Sequence, residues 1–162
     1  MPVKTTRLYM LLLTSCLISC TAVRRGSMTE TPVESVIFPK GEVVKSDNFT
    51  GTVWLHPLFS NDTTYNLYAG SVHFERGSRT NWHYHPGGQI LLVISGVGRY
   101  QEKGKAIRVI RKGDVIQCPP NTIHWHGASP ASGLTHIAIG TNPSRGSVVW
   151  LAPVTDEEYG GG

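Results

Sequence analysis

A surplus of one charge sign is absent from most of this 162-residue chain, although its formal net charge is +4. The excess sits in Lys4, Arg7, Arg24 and Arg25, which all precede the first acidic residue, Glu30; beyond them basic and acidic residues balance. No basic block or interleaved aromatic run offers a phosphate-tracking surface, so no nucleic-acid partner is expected. Charged residues make up only 16% of the chain, and no segment keeps a helical apolar period over three turns, which excludes a helical bundle. No apolar run is long enough to span a bilayer comfortably, and there is no internal repeat. Cysteine is scarce at three residues. Cys118 is the one that falls in the body of the chain, which leaves it no partner for a disulfide there. It lies in the strand-like run Asp114-Val-Ile-Gln-Cys-Pro119 and reads as a small core residue rather than a nucleophile.

Glycine (18) and proline (10) are plentiful. From Thr52 to Trp150, segments of four to eight residues rich in Val, Ile, Leu and aromatics alternate with turn-forming groups such as Arg76-Gly77-Ser78, Pro86-Gly87-Gly88, Lys112-Gly113 and Pro119-Pro120-Asn121. That punctuation predicts an all-β sandwich or barrel in one domain. Parity within Tyr68–Glu75 turns Val72 and Phe74 inward and His73 outward. His56 reads as a surface or partly packed residue.

The N-terminus has the order of an export signal. Lys4 and Arg7 precede the apolar stretch Leu8–Ile18, which is of signal rather than membrane-span length. Leu17-Ile18-Ser19-Cys20 resembles the lipobox of bacterial lipoproteins, which implies lipidation at Cys20 and membrane attachment only through that lipid. The alternatives are an ordinary secretory signal or a buried strand. The expected organisation is a signal over 1–20, a tether over 21–47 and a barrel domain over 48–162, exported and either membrane-anchored or periplasmic.

Five of the seven histidines fall between residues 83 and 136: His83-Tyr-His85, His124-Trp-His126, then His136. Residues two apart share one face of a strand, so each pair converges. Gln89 opens the next apolar segment after the Pro86-Gly87-Gly88 turn, and its amide carbonyl can complete a nitrogen and oxygen donor set.

The spacing Gly77-x5-His83-x-His85-x3-Gln89-x6-Gly96, followed by Gly113-Asp114-x4-Pro119-x4-His124, resembles the two motifs of the cupin superfamily. Gln89 stands where most metal cupins have glutamate. The second motif departs by lacking a glycine near Asn121 and an asparagine near Gly127. In finer detail, Phe49–Phe59, Arg79–Gln89, His124–Ala128, Thr135–Ile139 and Val154–Tyr159 are similar to small bacterial cupins. These include manganese-dependent (R)-selective hydroxynitrile lyases and carboxymuconolactone decarboxylase-like proteins. The resemblance implies a single jelly-roll-type cupin barrel, homo-oligomeric, with a divalent metal held by His83, His85, Gln89 and His124. It also implies a pocket lined by Thr80, His126 and His136. As inward-facing rings expected near neutral pKa, His136 and His126 suit a catalytic role in moving a proton; the alternative is packing or a hydrogen bond that orients a ligand. Val72 and Phe74 are expected to join Thr80 in binding substrate. Some of these lyases carry a glutamine beside the pocket where Gly140 stands here.

Three neutral imidazoles and a neutral amide leave a dication's charge uncompensated, which favours Lewis-acid chemistry on a small-molecule oxygen. Manganese is the ion the resemblance implies; iron, nickel, cobalt and zinc also suit these donors. The expected function is a metal-dependent lyase acting on a small hydroxy or carbonyl compound. The alternatives are a metal-dependent cupin dioxygenase and a non-catalytic barrel that binds a small molecule or metal.

Overall fold

The structure, a computed structural model, describes residues 37–62 and 64–160. The expected signal, Cys20 and most of the expected tether lie outside the described residues. Among these residues no helix is long and apolar enough to cross a membrane.

Twelve strands follow in chain order: β1 (Glu42–Val43), β2 (Phe49–Thr50), β3 (Val53–Asp62), β4 (Leu67–Phe74), β5 (Arg79–Thr80), β6 (His83–Tyr84), β7 (Gln89–Glu102), β8 (Arg108–Arg111), β9 (Val115–Cys118), β10 (His124–Ala128), β11 (Leu134–Thr141) and β12 (Val149–Trp150). Every pairing is antiparallel, in the order β1-β3-β4-β11-β7-β10-β5-β2, with β8 and β9 also on β7, and with β6 between β10 and β12. The result is the all-β barrel that the turn spacing predicts: one curled sheet with two leaves.

The long strand β7 joins the leaves. Its first residues, Gln89–Leu92, pair with β9 and β11, whereas Val97–Glu102 pair with β8 and β10. Between these halves the register against β11 shifts, with Ser95 opposite Thr135 but Val93 opposite His136. A β-bulge of this kind bends a strand and lets it pass from one leaf to the other.

Between the leaves lies the core of Val53, Phe74, Leu91, Val93, Ile110, Ile116 and Leu134. Cys118 is buried within it, and burial pushes its thiol up to about 12, so it stays protonated and inert. The alternation read from β4 is observed. Phe74 is fully buried and Val72 packs on the core, while His73 meets Thr135 through Nδ1 at 2.9 Å.

Pairing begins earlier than residue 48. Glu42 and Val43 lie opposite Leu55 and Trp54, and the backbone carbonyls of Asp47 and Asn48 are held by the side chain and backbone N–H of Asn81. At the other end a short helix, α1 (Asp156–Gly160), starts with a reciprocal cap: Glu158 N–H donates to Thr155 Oγ1, and Thr155 N–H to a Glu158 carboxylate oxygen.

Candidate metal centre

The His-x-His pairs land where the period of a strand sends them. His83 on β6 is the direct cross-strand neighbour of His124 on β10, and the two rings sit 4.3 Å apart. The turn after His85 brings the chain back for Gln89. Gly88 adopts φ 93°, and a Cβ on Gly87 would strike the Thr141 carbonyl oxygen at 1.9 Å, so only the glycine pair allows this tight return. Ligand-capable atoms of His83, His85 and His124 converge within 4.8 Å of one another, all three residues buried. Gln89 adds its Oε1, 3.1 Å from His124 Nε2.

Backbone carbonyls decide the tautomer of two rings. His83 Nδ1 donates to Asn81 O at 3.0 Å and His124 Nδ1 to Thr122 O at 2.8 Å, which leaves each Nε2 with a lone pair facing inward. The Pro119-Pro120-Asn121-Thr122 loop that supplies this carbonyl needs a left-handed residue, and Asn121 has φ 61°. Asparagine is the non-glycine residue that tolerates this conformation best, so the missing motif glycine is replaced without loss of the turn.

The donor set fits a divalent cation on two observations. His85 Nε2 is buried and has no hydrogen-bond partner. His124 Nε2, already committed as an acceptor, faces the acceptor Oε1 of Gln89. A cation among these atoms would satisfy both. The rings are also in the right charge state: burial, reinforced by the neighbouring imidazoles, holds His83 well below its usual pKa and His85 down to about 4. Burial lowers His124 as well. All three are neutral near pH 7 and free to ligate.

Beside the cluster opens a cavity of about 310 Å³, walled largely by apolar side chains, among them Phe49, Val72, Phe74 and Trp150. Thr80, His83, His85, Gln89 and His126 supply its polar points. Thr80 Oγ1 accepts the backbone N–H of His126 at 3.1 Å, fixing that strand beneath the cavity. His126 Nδ1 lies 3.2 Å from His136 Nε2. His136 is not on the cavity wall; it stands one layer behind His126, wholly buried beside Phe74. On β11 His136 lies opposite Val72 and Val93, four residues along the strand from Gly140, the partner of Gln89. Neither ring stands near neutral pKa as the sequence suggests: burial brings His136 down to about 4 and His126 well below the usual range, so both are neutral.

Several cavity residues are not apparent from the sequence, three aromatics among them. Phe49 and Trp150, from opposite ends of the barrel domain, meet edge to face at 5.3 Å over the cavity. Tyr68 reaches His85 Nδ1 with its hydroxyl at 3.3 Å.

Comparison with known proteins agrees with this geometry. Residues 70–136 match the family described as Cupin domain. Over 114 residues the chain is 45% identical to an (R)-mandelonitrile lyase of Granulicella tundricola, a match covering 70% of this chain and 87% of that protein. The crystal structure of a cupin-like protein from Thermotoga maritima is 49% identical, with a TM-score of 0.75 over 77% of this chain and 95% of that one. A cupin 2 conserved barrel domain protein from Rhodopseudomonas palustris shares the fold at 19% identity, with a TM-score of 0.59 over 72% of this chain and 78% of that one.

Proposed function

The chain belongs to the cupin family, and from that premise we propose that it is a metal-dependent lyase that cleaves a small cyanohydrin-like hydroxy compound, reversibly, into a carbonyl compound and cyanide. The observation that carries the reading is the convergence of His83, His85 and His124 within 4.8 Å, with Gln89 alongside, at the wall of an apolar cavity. A divalent ion there, for which we favour manganese, would supply Lewis acidity undiminished by any anionic protein ligand.

The protein's own groups account for the rest. Phe49, Val72, Phe74 and Trp150 take up the apolar body of the substrate and exclude water, and Thr80 holds the backbone of His126 in place. His126 lines the cavity with Nδ1 engaged by His136, which leaves its Nε2 as the ring nitrogen for substrate. Its neutral Nε2 accepts the substrate hydroxyl proton as the carbonyl forms. The carbon–carbon bond electrons leave with cyanide, which then takes the proton from His126. His136 orients His126 and shares the transient positive charge. Similarity to an (R)-mandelonitrile lyase supports this choice of reaction.

The test is benzaldehyde release from mandelonitrile by manganese-loaded protein. The expected result is release that a chelator abolishes and that His126→Ala lowers by about 10²–10⁴-fold. Release that is absent, or indifferent to metal, removes the proposal. Export with lipid at Cys20 and homo-oligomerisation belong to the same reading. Mass analysis of the mature N-terminus and the sedimentation of the purified protein test them.

A further inference from the structure

His85 differs from the other two imidazoles in what holds it. The Nδ1 atoms of His83 and His124 face backbone carbonyls, which can only accept, so the tautomer of those rings is fixed. His85 Nδ1 faces the hydroxyl of Tyr68, 3.3 Å away, which can either donate or accept. If the phenol donated, His85 Nε2 would carry a hydrogen into a buried space where it has no partner. If the phenol accepts, Nε2 presents its lone pair to the cluster.

The position of Tyr68 depends on Gly140. The two residues are Cα partners across β4 and β11, and Gly140 is in turn the Cα partner of Gln89 across β11 and β7. Tyr68, Gly140 and Gln89 therefore stand in one row, with glycine in the middle. A Cβ on Gly140 would lie 2.0 Å from the Tyr68 Cζ and 2.4 Å from its hydroxyl oxygen. The phenol tip thus occupies the space of the missing side chain, and from there it reaches His85. Tyr68 also lines the cavity, so the same ring touches both the ligand and the substrate space.

We propose that Tyr68, seated in the space left by Gly140, is the positioning residue that commits His85 Nε2 to the metal. The inference rests on the metal centre proposed above. In it the pair Tyr68–Gly140 acts as one unit: the hydroxyl accepts from His85 Nδ1–H, keeps the ring turned toward His83 and His124, and retains its own hydrogen for the cavity. A side chain at 140 and a phenol at this depth are mutually exclusive.

The test uses full-length protein and its Tyr68→Phe, Gly140→Ala and doubly substituted variants, each titrated with Mn2+. The visible spectra of the Co2+-loaded forms report on coordination geometry. Tyr68→Phe keeps the ring and removes only the oxygen. The expected result is an affinity loss of about 10-fold or more, the range seen when a ligand's outer partner is removed, with a changed cobalt spectrum. Gly140→Ala should reproduce that loss by displacing the phenol, and the double variant should be no worse than the weaker single one. Tyr68→Phe that binds Mn2+ within about twofold of the parent and keeps its cobalt spectrum overturns the inference while leaving the metal centre standing. A parent protein that binds neither ion overturns the metal centre itself, and this inference with it.

Discussion

Strands β5, β6 and β10 present opposite chemistries on their two faces. Inward they send Thr80, His83, His124 and His126; outward the alternate residues Arg79, Trp82 and Trp125 meet Val154 and Tyr159 in a second cluster closed by α1. The outer cluster is as polar as it is aromatic, yet its polar groups are matched within the chain. Arg79 donates to Val154 O at 3.0 Å and to Asp156 at 2.6 Å, and Trp82 Nε1 to Glu158 at 3.2 Å. Trp125 Nε1 donates to Gln101 at 2.7 Å, and the Tyr159 hydroxyl to Ala128 O at 2.7 Å. The inner face leaves His85 Nε2 buried without a partner and sets two acceptors against each other at Gln89 and His124. One face is complete as it folds; the other is completed by what it binds. Buried polar groups are almost always matched, so His85 Nε2 and His136 Nδ1, unmatched at and behind the cavity, mark the site; the other unmatched atom among the described residues, Trp54 Nε1, lies on β3 outside the cavity lining.

This contrast predicts that damage to the two faces separates. Tyr159→Ala, on the outer face, should cost about 3–5 kcal/mol of stability, read as a lowered urea midpoint, with manganese affinity of the folded protein unchanged. His124→Ala, on the inner face, should weaken manganese binding by more than about 100-fold, or roughly 2.7 kcal/mol, with the circular dichroism of the fold retained. If either variant produced the other's phenotype, the faces would not be independent.

Acid should sharpen the distinction in the metal-free protein. The inner imidazoles have folded pKa values below 6.5, at about 4 for His85 and His136. The unfolded chain therefore takes up protons that the folded one refuses. Their stabilisation is complete above pH 6.5 and declines as the pH falls toward 4, by up to about 1.4 kcal/mol per pH unit for each ring. On the outer face Lys103 and the Thr155 backbone hold Glu158 down to about 2, so that carboxylate stays charged throughout this window. Urea midpoints measured across it should fall, and adding manganese near neutral pH should raise them through linkage. The smallest effect is expected from Asp156→Asn, under about 1 kcal/mol, because the carboxylate that meets Arg79 is 96% exposed.

Much of the inner face could be read directly from the chain. The two His-x-His pairs, the turn before Gln89 and the alternation at Val72 and Phe74 are local patterns, and strand periodicity converts them into positions. What stayed hidden depends on distant chain segments. Tyr68 looks like an ordinary strand aromatic until Gly140, far along the sequence, turns out to lie beneath it. Phe49 and Trp150 become cavity walls only when the two ends of the barrel domain meet. The depth of His136 follows from register, which composition does not reveal. The outer cluster is not apparent in the sequence because Arg79, Trp82 and Trp125 meet Val154 and Tyr159 only once the C-terminal segment packs against these strands.

Strand β7 has a consequence for how the barrel opens. It is bonded to β8, β9, β10 and β11 and belongs to both leaves, with Gln89 at one end and Glu102, the cross-strand neighbour of His124, at the other. Neither leaf can detach without breaking pairs along this one strand, so local fraying at one end should be felt at the other. The amide hydrogens of Leu91 and Tyr100, in different leaves, should then exchange with solvent at matching rates, in a single opening event that also dismantles the metal centre.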